Sequence, residues 1–148
     1  MPEKNLKITI NSRFEEVESV TDAVRQLCMT HLLLGEEESY TIVLCVVEAV
    51  NNAIEHGYAG LPGKIEIECY PQNGYLQVKI MDRGKPMEPN RLAKASDAVF
   101  DIQGTSIENI PERGRGLALI KKIMDEAAYE TKEGKNTITM IKKLKTRK

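Results

Sequence analysis

The sequence lacks several features that define common classes of protein. Its 148 residues include 21 Lys and Arg against 22 Asp and Glu, and the net charge of -1 gives no field that would favour nucleic acid or an anionic membrane. No stretch approaches the roughly 18 successive apolar residues of a membrane-spanning helix. The N-terminal segment MPEKNLKITINSRFEE also lacks the apolar run and cleavage site of a signal peptide. These absences predict a cytoplasmic protein without a direct nucleic-acid or membrane partner.

Cysteine is scarce as well. The sequence has three cysteines, Cys28, Cys45 and Cys69, which are far apart and lie within apolar helical or strand patterns. An odd number at such spacing does not suit a disulfide framework or a metal site. We therefore expect three reduced thiols in the core.

Internal repeats and low-complexity segments are absent too, and the length suits a single domain, 1–148, with one core. Period-two alternation predicts strands at LKITIN, KIEIECY, YLQVKIMD, AAYETKE and NTITMIKKL, with hairpin turns at PQNG and EGKN. Helical spacing predicts helices over SRFEEVESVTDAVRQLCMTHLLL, from about Tyr40 to His56, around Asn90 to Ala98 and in GLALIKKIMDEA. This order of elements predicts an α+β fold, a two-layer sandwich with helices on one face of a mixed, mostly antiparallel sheet.

The second predicted helix carries an unusual polar cluster in its last two turns, consisting of Glu48, Asn51, Asn52, Glu55 and His56. An ordinary amphipathic helix would explain polar residues on a solvated face. It would not explain Leu44 and Cys45, which precede the cluster on the same side. This side of the helix is thus covered by protein in the first turns and exposed to solvent in the last turns, as at the mouth of a cleft.

Glu48 and Asn52 are four residues apart and are therefore neighbours on the helix surface. Their carboxylate and carboxamide oxygens converge on one point. This arrangement suits a hard cation such as Mg²⁺, or the orientation of an attacking hydroxyl group.

A second cluster lies at the end of a predicted strand, where Asp82 is followed two residues later by Gly84. An ordinary Asp-x-Gly turn is one interpretation of this pair. The other is a carboxylate beside backbone that a flat ligand can approach closely, since glycine has no side chain.

A third cluster opens the last predicted helix, where Gly114 and Gly116 allow backbone N–H groups to point outward at the positive end of the helix dipole. Arg113 and Arg115 add positive charge, so the segment suits phosphate. It is not a Walker A loop, because no Gly-Lys-Ser/Thr follows. The third glycine of a dinucleotide-binding fingerprint is also missing.

In this order, the three clusters resemble the ATP-binding domain shared by histidine kinases, Hsp90-type chaperones, gyrase-type topoisomerases and MutL. Within that superfamily, EAVNNAIEHGY, DRGKP and ERGRGLALIKKIMDE are similar to the anti-sigma-factor serine-protein kinases of stress response and sporulation. The resemblance spans nearly the whole chain. It implies the Bergerat-type ATP-binding fold, with ATP and Mg²⁺ as cofactors.

The resemblance also implies a role for each matching position. Asn52 matches the asparagine that holds Mg²⁺, and Glu48 matches the general base. Asp82 matches the aspartate that accepts a hydrogen bond from the adenine amino group. The remaining nucleotide contacts implied by the resemblance are Gly84, Pro86, Arg113, Gly114, Arg115, Gly116 and Leu117. The ATP lid then corresponds to about 86–113.

One position departs from the superfamily pattern near the end of the chain. A threonine that often lies near adenine aligns here with Asn136 or Thr137, and the sequence does not decide between them. His56 occupies a position near the phosphates in the family, although a packing role accounts for it equally well.

The resemblance implies a protein serine kinase that acts as an anti-sigma factor. Such a protein, as a homodimer, binds a sigma factor and phosphorylates a serine on an anti-sigma-factor antagonist. The alternative is an ATP-gated binding module without efficient phosphotransfer. Glu48 favours the kinase, because a pure sensor needs no general base. A complete sensor histidine kinase is not expected, since no dimerisation helix with a phosphoacceptor histidine precedes the first motif.

Overall fold

The computed structural model describes residues 4–88, 91–94 and 115–145. Five strands form one sheet in the order β1-β2-β3-β5-β4. In chain order they are β1 Leu6–Asn11, β2 Lys64–Gln72, β3 Tyr75–Asp82, β4 Glu126–Lys132 and β5 Lys135–Lys143. The two predicted hairpins are present, β2 with β3 and β4 with β5. The α+β prediction is confirmed.

The sheet differs from the prediction in one respect, because all four strand pairings in the described part of the chain are antiparallel rather than mixed. The reason lies in the strand order. After β3 the chain returns through a helix to β4 at the sheet edge, and the β4–β5 hairpin then inserts β5 between β4 and β3. The strand that runs parallel to β3 is therefore not its neighbour.

The described residues include four α-helices, namely α1 Val17–Gln26, α2 Glu36–Asn52, α3 Arg91–Lys94 and α4 Arg115–Ile123. A 3₁₀ turn, Phe14–Glu16, precedes α1, and π-helical turns extend α1 over Leu27–His31 and α2 over Ala53–Tyr58. No helix in the described part is long and apolar enough to cross a lipid bilayer.

Helix α2 begins at Glu36, before the predicted start near Tyr40. Its first turn contains three consecutive glutamates, Glu36, Glu37 and Glu38. Carboxylates in this place are stabilised by the positive end of the helix dipole, so the acidic run belongs inside the helix rather than before it. The helix predicted around Asn90 to Ala98 is present as α3, and the rest of that prediction lies outside the described residues.

The core lies between the sheet and helices α1, α2 and α4. Alternate residues of β2 and β3 are buried under the helices, as the strand periodicity predicts. Cys28, Cys45 and Cys69 are buried and form no disulfide, as expected, and burial raises the pKa of each thiol to about 12. Helix α2 packs between α1 and α4, which places its last turns beside the end of β3.

Candidate functional site

A small pocket lies between the end of α2 and the ends of β3 and β5. It is lined by Ala49, Asn52, Ala53, Gly57, Ile80, Asp82, Lys85, Met87, Tyr129 and Ile138. The structure therefore places Asn52 and Asp82, which belong to two different sequence clusters, in one site. Aliphatic side chains form much of the wall, as in pockets that take flat organic ligands.

The carboxylate of Asp82 is held by two hydrogen bonds to the same oxygen. Its Oδ1 accepts from the backbone N–H of Gly84 at 2.8 Å and from Nδ2 of Asn136 at 2.9 Å. Among the described residues no donor is bonded to Oδ2. Asp82 lines the pocket and is partly exposed, so one oxygen fixes the side chain while the other is left for a ligand.

Gly57 and Gly84 allow the end of α2 and the end of β3 to approach each other closely. A Cβ at Gly84 would overlap the carbonyl group of Gly57, and a Cβ at Gly57 would lie 3.2 Å from Oδ1 of Asp82. The carbonyl oxygen of Gly57 accepts the backbone N–H of Lys85 at 2.6 Å. The second motif therefore requires its glycine for this approach, which an ordinary surface turn would not.

Asn136 is the member of the uncertain pair that reaches the site. It lies directly opposite Asp82 in the β3–β5 register and is 1% exposed. Its Nδ2 also donates to the carbonyl oxygen of Gly84 at 2.9 Å, and its Oδ1 accepts from the hydroxyl of Thr131 at 2.7 Å. All these partners belong to the protein, so Asn136 orients Asp82 from behind.

Thr137 lies on the opposite face of the sheet, because successive residues of a strand alternate between faces. Its partners in register are Met81 on β3 and Glu130 on β4. Thr137 therefore does not line this pocket, and a contact of Thr137 with the nucleotide stays a prediction.

Tyr58 ties the end of the α2 segment to the residue after Asp82. Its buried hydroxyl accepts the backbone N–H of Arg83 at 2.8 Å and donates to the carbonyl oxygen of Lys64 at 2.6 Å. Its ring fills the space where a side chain at position 63 would lie, which only Gly63 leaves free. The sequence interpretation did not include Tyr58, although it lies within the same EAVNNAIEHGY segment.

The carboxylate of Glu48 lies against the first turn of α4. A Cβ at Gly116 would overlap Oε2 of Glu48, so the glycine leaves the space that this carboxylate occupies. The first N–H groups of a helix have no partner within the helix and carry its positive dipole end. Glu48, one turn before Asn52, thus lies where the third sequence cluster places phosphate.

The other predicted residues lie at the margins of the described structure. Pro86 is exposed beside the pocket, and Leu117 is 3% exposed, so its side chain packs in the core and only its backbone amide belongs to the first turn of α4. Arg113, Gly114 and most of the predicted lid, 86–113, lie outside the described residues, as does the side chain of Arg115. His56 is partly exposed and lies 3.5 Å from the carboxylate of Glu55.

Met87 and Tyr129 are among the pocket residues that the sequence interpretation missed. Met87 accepts a hydrogen bond at Sδ from Nδ2 of Asn52 at 3.4 Å, and its backbone N–H donates to the hydroxyl of Tyr129 at 2.9 Å. Tyr129 comes from the edge strand β4. Its inward position follows from the alternation of β4, but its proximity to residue 87 depends on how the strands pair and cannot be read locally.

Comparison with known proteins identifies the family of this chain. The profile of the family described as histidine kinase-like ATPase domain matches residues 10–142. The chain is 31% identical over 107 residues to an anti-sigma F factor of Clostridium acetobutylicum, an alignment that covers 72% of this chain and 71% of the relative. It is 26% identical over 127 residues to the serine/threonine-protein kinase BtrW of Bordetella bronchiseptica, covering 82% and 84%.

The serine-protein kinase RsbW of Bacillus thuringiensis is 31% identical over 99 residues, which is 67% of this chain and 60% of the relative. A solved structure with the RsbU and RsbW domains of a Mycobacterium tuberculosis protein superposes with a TM-score of 0.65 at 21% identity. That superposition covers 96% of this chain and 33% of the longer one, and it shows the fold alone. The chain therefore belongs to the family of histidine kinase-like ATPase domains, in the branch that contains anti-sigma F factors and RsbW-type serine-protein kinases.

Proposed function

We propose that this protein is an ATP-dependent serine kinase that acts as an anti-sigma factor, binding a sigma factor and phosphorylating a serine of an anti-sigma-factor antagonist. One observation carries the proposal. Asp82 and Asn52 line the same pocket, and Glu48, one turn from Asn52, lies against the N-terminus of α4. A base-binding carboxylate, a metal-binding amide, a catalytic base and a phosphate-binding helix end are thus adjacent.

The adenine ring occupies the pocket in this proposal. Ala49, Ala53, Ile80 and Ile138 supply aliphatic contact, and Oδ2 of Asp82 accepts a hydrogen bond from the exocyclic amino group. Guanine presents a carbonyl oxygen at the corresponding position, which would face the carboxylate without a hydrogen bond. The pocket therefore favours ATP over GTP.

The residues present fit Mg²⁺ at the phosphates. Mg²⁺ prefers hard oxygen ligands and commonly takes one or two from the protein together with phosphate oxygens. Glu48 and Asn52 offer such oxygens, and no group of three or more His, Cys, Asp or Glu in the described part forms an all-protein metal site. Asn52 would hold the ion, which when bound neutralises charge on the phosphates.

Glu48 acts as the general base toward the serine hydroxyl. As the serine oxygen bonds to the γ-phosphorus and the bond to ADP breaks, the hydroxyl proton passes to the carboxylate. The backbone amide of Gly116 in the first turn of α4 binds the phosphates, and in the proposal Gly114 contributes a second amide while Arg113 and Arg115 add charge. Segment 86–113 forms the lid over ATP, and 1–148 acts as one domain.

The proposal includes a homodimer in the cytoplasm. The names of the relatives, anti-sigma F factor and serine-protein kinase, support the protein partners, and the homodimer is what the family resemblance implies. The three cysteines are buried and free among the described residues, which suits a reducing compartment.

The test incubates the protein with γ-labelled ATP, Mg²⁺ and candidate antagonists, and compares Glu48→Gln, Asn52→Ala and the control Glu55→Gln. Glu55 is an exposed carboxylate on the same helical segment. We expect labelled antagonist with the wild type and the control. Glu48→Gln should bind ATP but lose transfer by about 10²-fold or more, and Asn52→Ala should lose Mg²⁺-dependent binding. Absence of ATP binding by the wild type would overturn the whole proposal, whereas ATP binding without transfer would favour an ATP-gated binding module.

A further inference from the structure

Met87 lies at the border of the pocket. Its Sδ accepts a hydrogen bond from Asn52, and the residue lines both the pocket and two neighbouring grooves. The cavity left inside has a volume of about 20 Å³, which is room for about one water molecule. A purine therefore enters only when lining side chains move, and Met87 is a flexible side chain of that lining.

The backbone of this segment is held by two hydrogen bonds, whereas the Met87 side chain has the weaker bond from Asn52 to its sulfur. The N–H of Lys85 donates to Gly57 at 2.6 Å, and the N–H of Met87 donates to the Tyr129 hydroxyl at 2.9 Å. Pro86, between them, has no N–H to donate and a restricted φ. Because methionine has three rotatable side-chain bonds, Met87 can swing aside from this anchored backbone and fold back.

Tyr129 is positioned to hold the backbone of Met87. It extends from the edge strand β4, and its ring forms part of the pocket wall. Its hydroxyl is the hydrogen-bond partner of the Met87 N–H, so it joins the sheet edge to the segment that covers the pocket. None of the three sequence clusters contains it.

We propose that Tyr129 is a positioning residue for the nucleotide: its hydroxyl holds the backbone of Met87 so that the thioether covers the bound base and retains it. This inference rests on the proposed function, since it requires a base in the pocket. It adds a retention step that Asp82 and Asn52 do not supply. Loss of the hydroxyl leaves the wall of the pocket intact and releases its cover.

The experiment measures dissociation of a fluorescent ATP analogue, chased with excess ATP, from the wild type, Tyr129→Phe and a control. The control is Tyr75→Phe, because Tyr75 is an exposed residue at the start of β3. We expect dissociation from Tyr129→Phe to be about five-fold faster, the effect of one hydrogen bond. Dissociation from Tyr75→Phe should match the wild type. The ratio of ATP to GTP affinity should be unchanged in Tyr129→Phe, because Asp82 is untouched.

A double-mutant cycle with Met87→Ala tests whether Tyr129 acts through the thioether. Met87→Ala alone should also speed dissociation, and adding Tyr129→Phe should then have little further effect. Equal dissociation rates for Tyr129→Phe and the wild type would overturn the inference, and so would an undiminished effect of Tyr129→Phe in the Met87→Ala background. Failure of the wild type to bind the analogue or ATP would instead overturn the proposed function.

Discussion

Replacing Gly116 with alanine tests whether catalysis depends on the position of Glu48 over the first turn of α4. The added Cβ would overlap Oε2 of Glu48, which is the far end of a flexible side chain and not backbone. The fold can therefore accept the substitution if the carboxylate moves away. Ordinary van der Waals contact requires a displacement of about 1 Å.

A displacement of this size is enough to impair phosphotransfer. Misplacing a catalytic group by about 1 Å can cost about 10²-fold in rate, so we expect a decrease of about 10- to 100-fold, or about 1.4 to 2.7 kcal/mol in the activation free energy. Stability should not fall in parallel, because alanine is favoured over glycine within a helix by up to about 1 kcal/mol. ATP affinity should change less than the rate, since alanine keeps the backbone N–H at position 116 and neither Asp82 nor its supports are touched.

The assay is single-turnover transfer from γ-labelled ATP to the antagonist, with ATP affinity and thermal unfolding measured on the same preparation. Gly35→Ala is the matched control, because a Cβ at Gly35 meets no atom within 4 Å and the residue lies at the start of α2, in an extended conformation that alanine also adopts. A wild-type transfer rate in Gly116→Ala would refute the requirement for this position of Glu48. A large loss of thermal stability would refute the argument that the side chain simply moves aside.

Three further outcomes follow from the same geometry. Asp82→Asn should weaken ATP binding about ten-fold, an effect of about 1.4 kcal/mol, and should weaken GTP binding less; equal losses in calorimetric titrations would remove Asp82 from the base site. Gly84→Ala should destabilise the protein by about 2 to 3 kcal/mol, because its Cβ would meet the backbone of Gly57 and not a movable side chain; a denaturation midpoint like that of the wild type would contradict this. The thiols of Cys28, Cys45 and Cys69 should resist alkylation in the native protein at pH 7 and react in denaturant, since burial raises the pKa of each from 9.0 to about 12. Rapid labelling of the native protein would exclude burial. Because the thiols of the unfolded chain lose their protons at lower pH than those of the folded protein, the free energy of unfolding should decrease as the pH rises above about 9.

Much of the fold follows from local patterns in the sequence. Strands β1 and β3 match their predicted bounds, because apolar and polar residues alternate without interruption in LKITIN and YLQVKIMD. The start of α2 was placed too late because its first turn is entirely polar, and hydrophobic periodicity cannot detect such a turn. The charge of this turn carries the signal instead, because consecutive glutamates are stabilised at the positive end of a helix dipole.

The sequence predicts the proximity of two site residues only where both lie on one regular segment of secondary structure. Glu48 and Asn52 lie one turn apart on a single helix, so their proximity follows from the helical repeat alone. The contact of Met87 with Tyr129 joins segments that are far apart in the sequence, through strand pairing that no local pattern specifies. Residues of this second kind need the structure, even when each lies next to a recognised motif.

The pair Asn136 and Thr137 illustrates this limit most sharply, because adjacent residues of a strand occupy opposite faces and a shift of one position exchanges their roles. The sequence alone left the two equivalent, and the β3–β5 register places Asn136 opposite Asp82. An asparagine there does what a single hydroxyl cannot, since its Nδ2 donates to both Asp82 and Gly84 while its Oδ1 accepts from Thr131. The side chain thus fastens the strand-end carboxylate and the following turn together. Because Oδ1 of Asp82 is engaged in this way, we expect selection of the base to depend on Oδ2, which makes Asp82 the most informative position at which to test nucleotide preference.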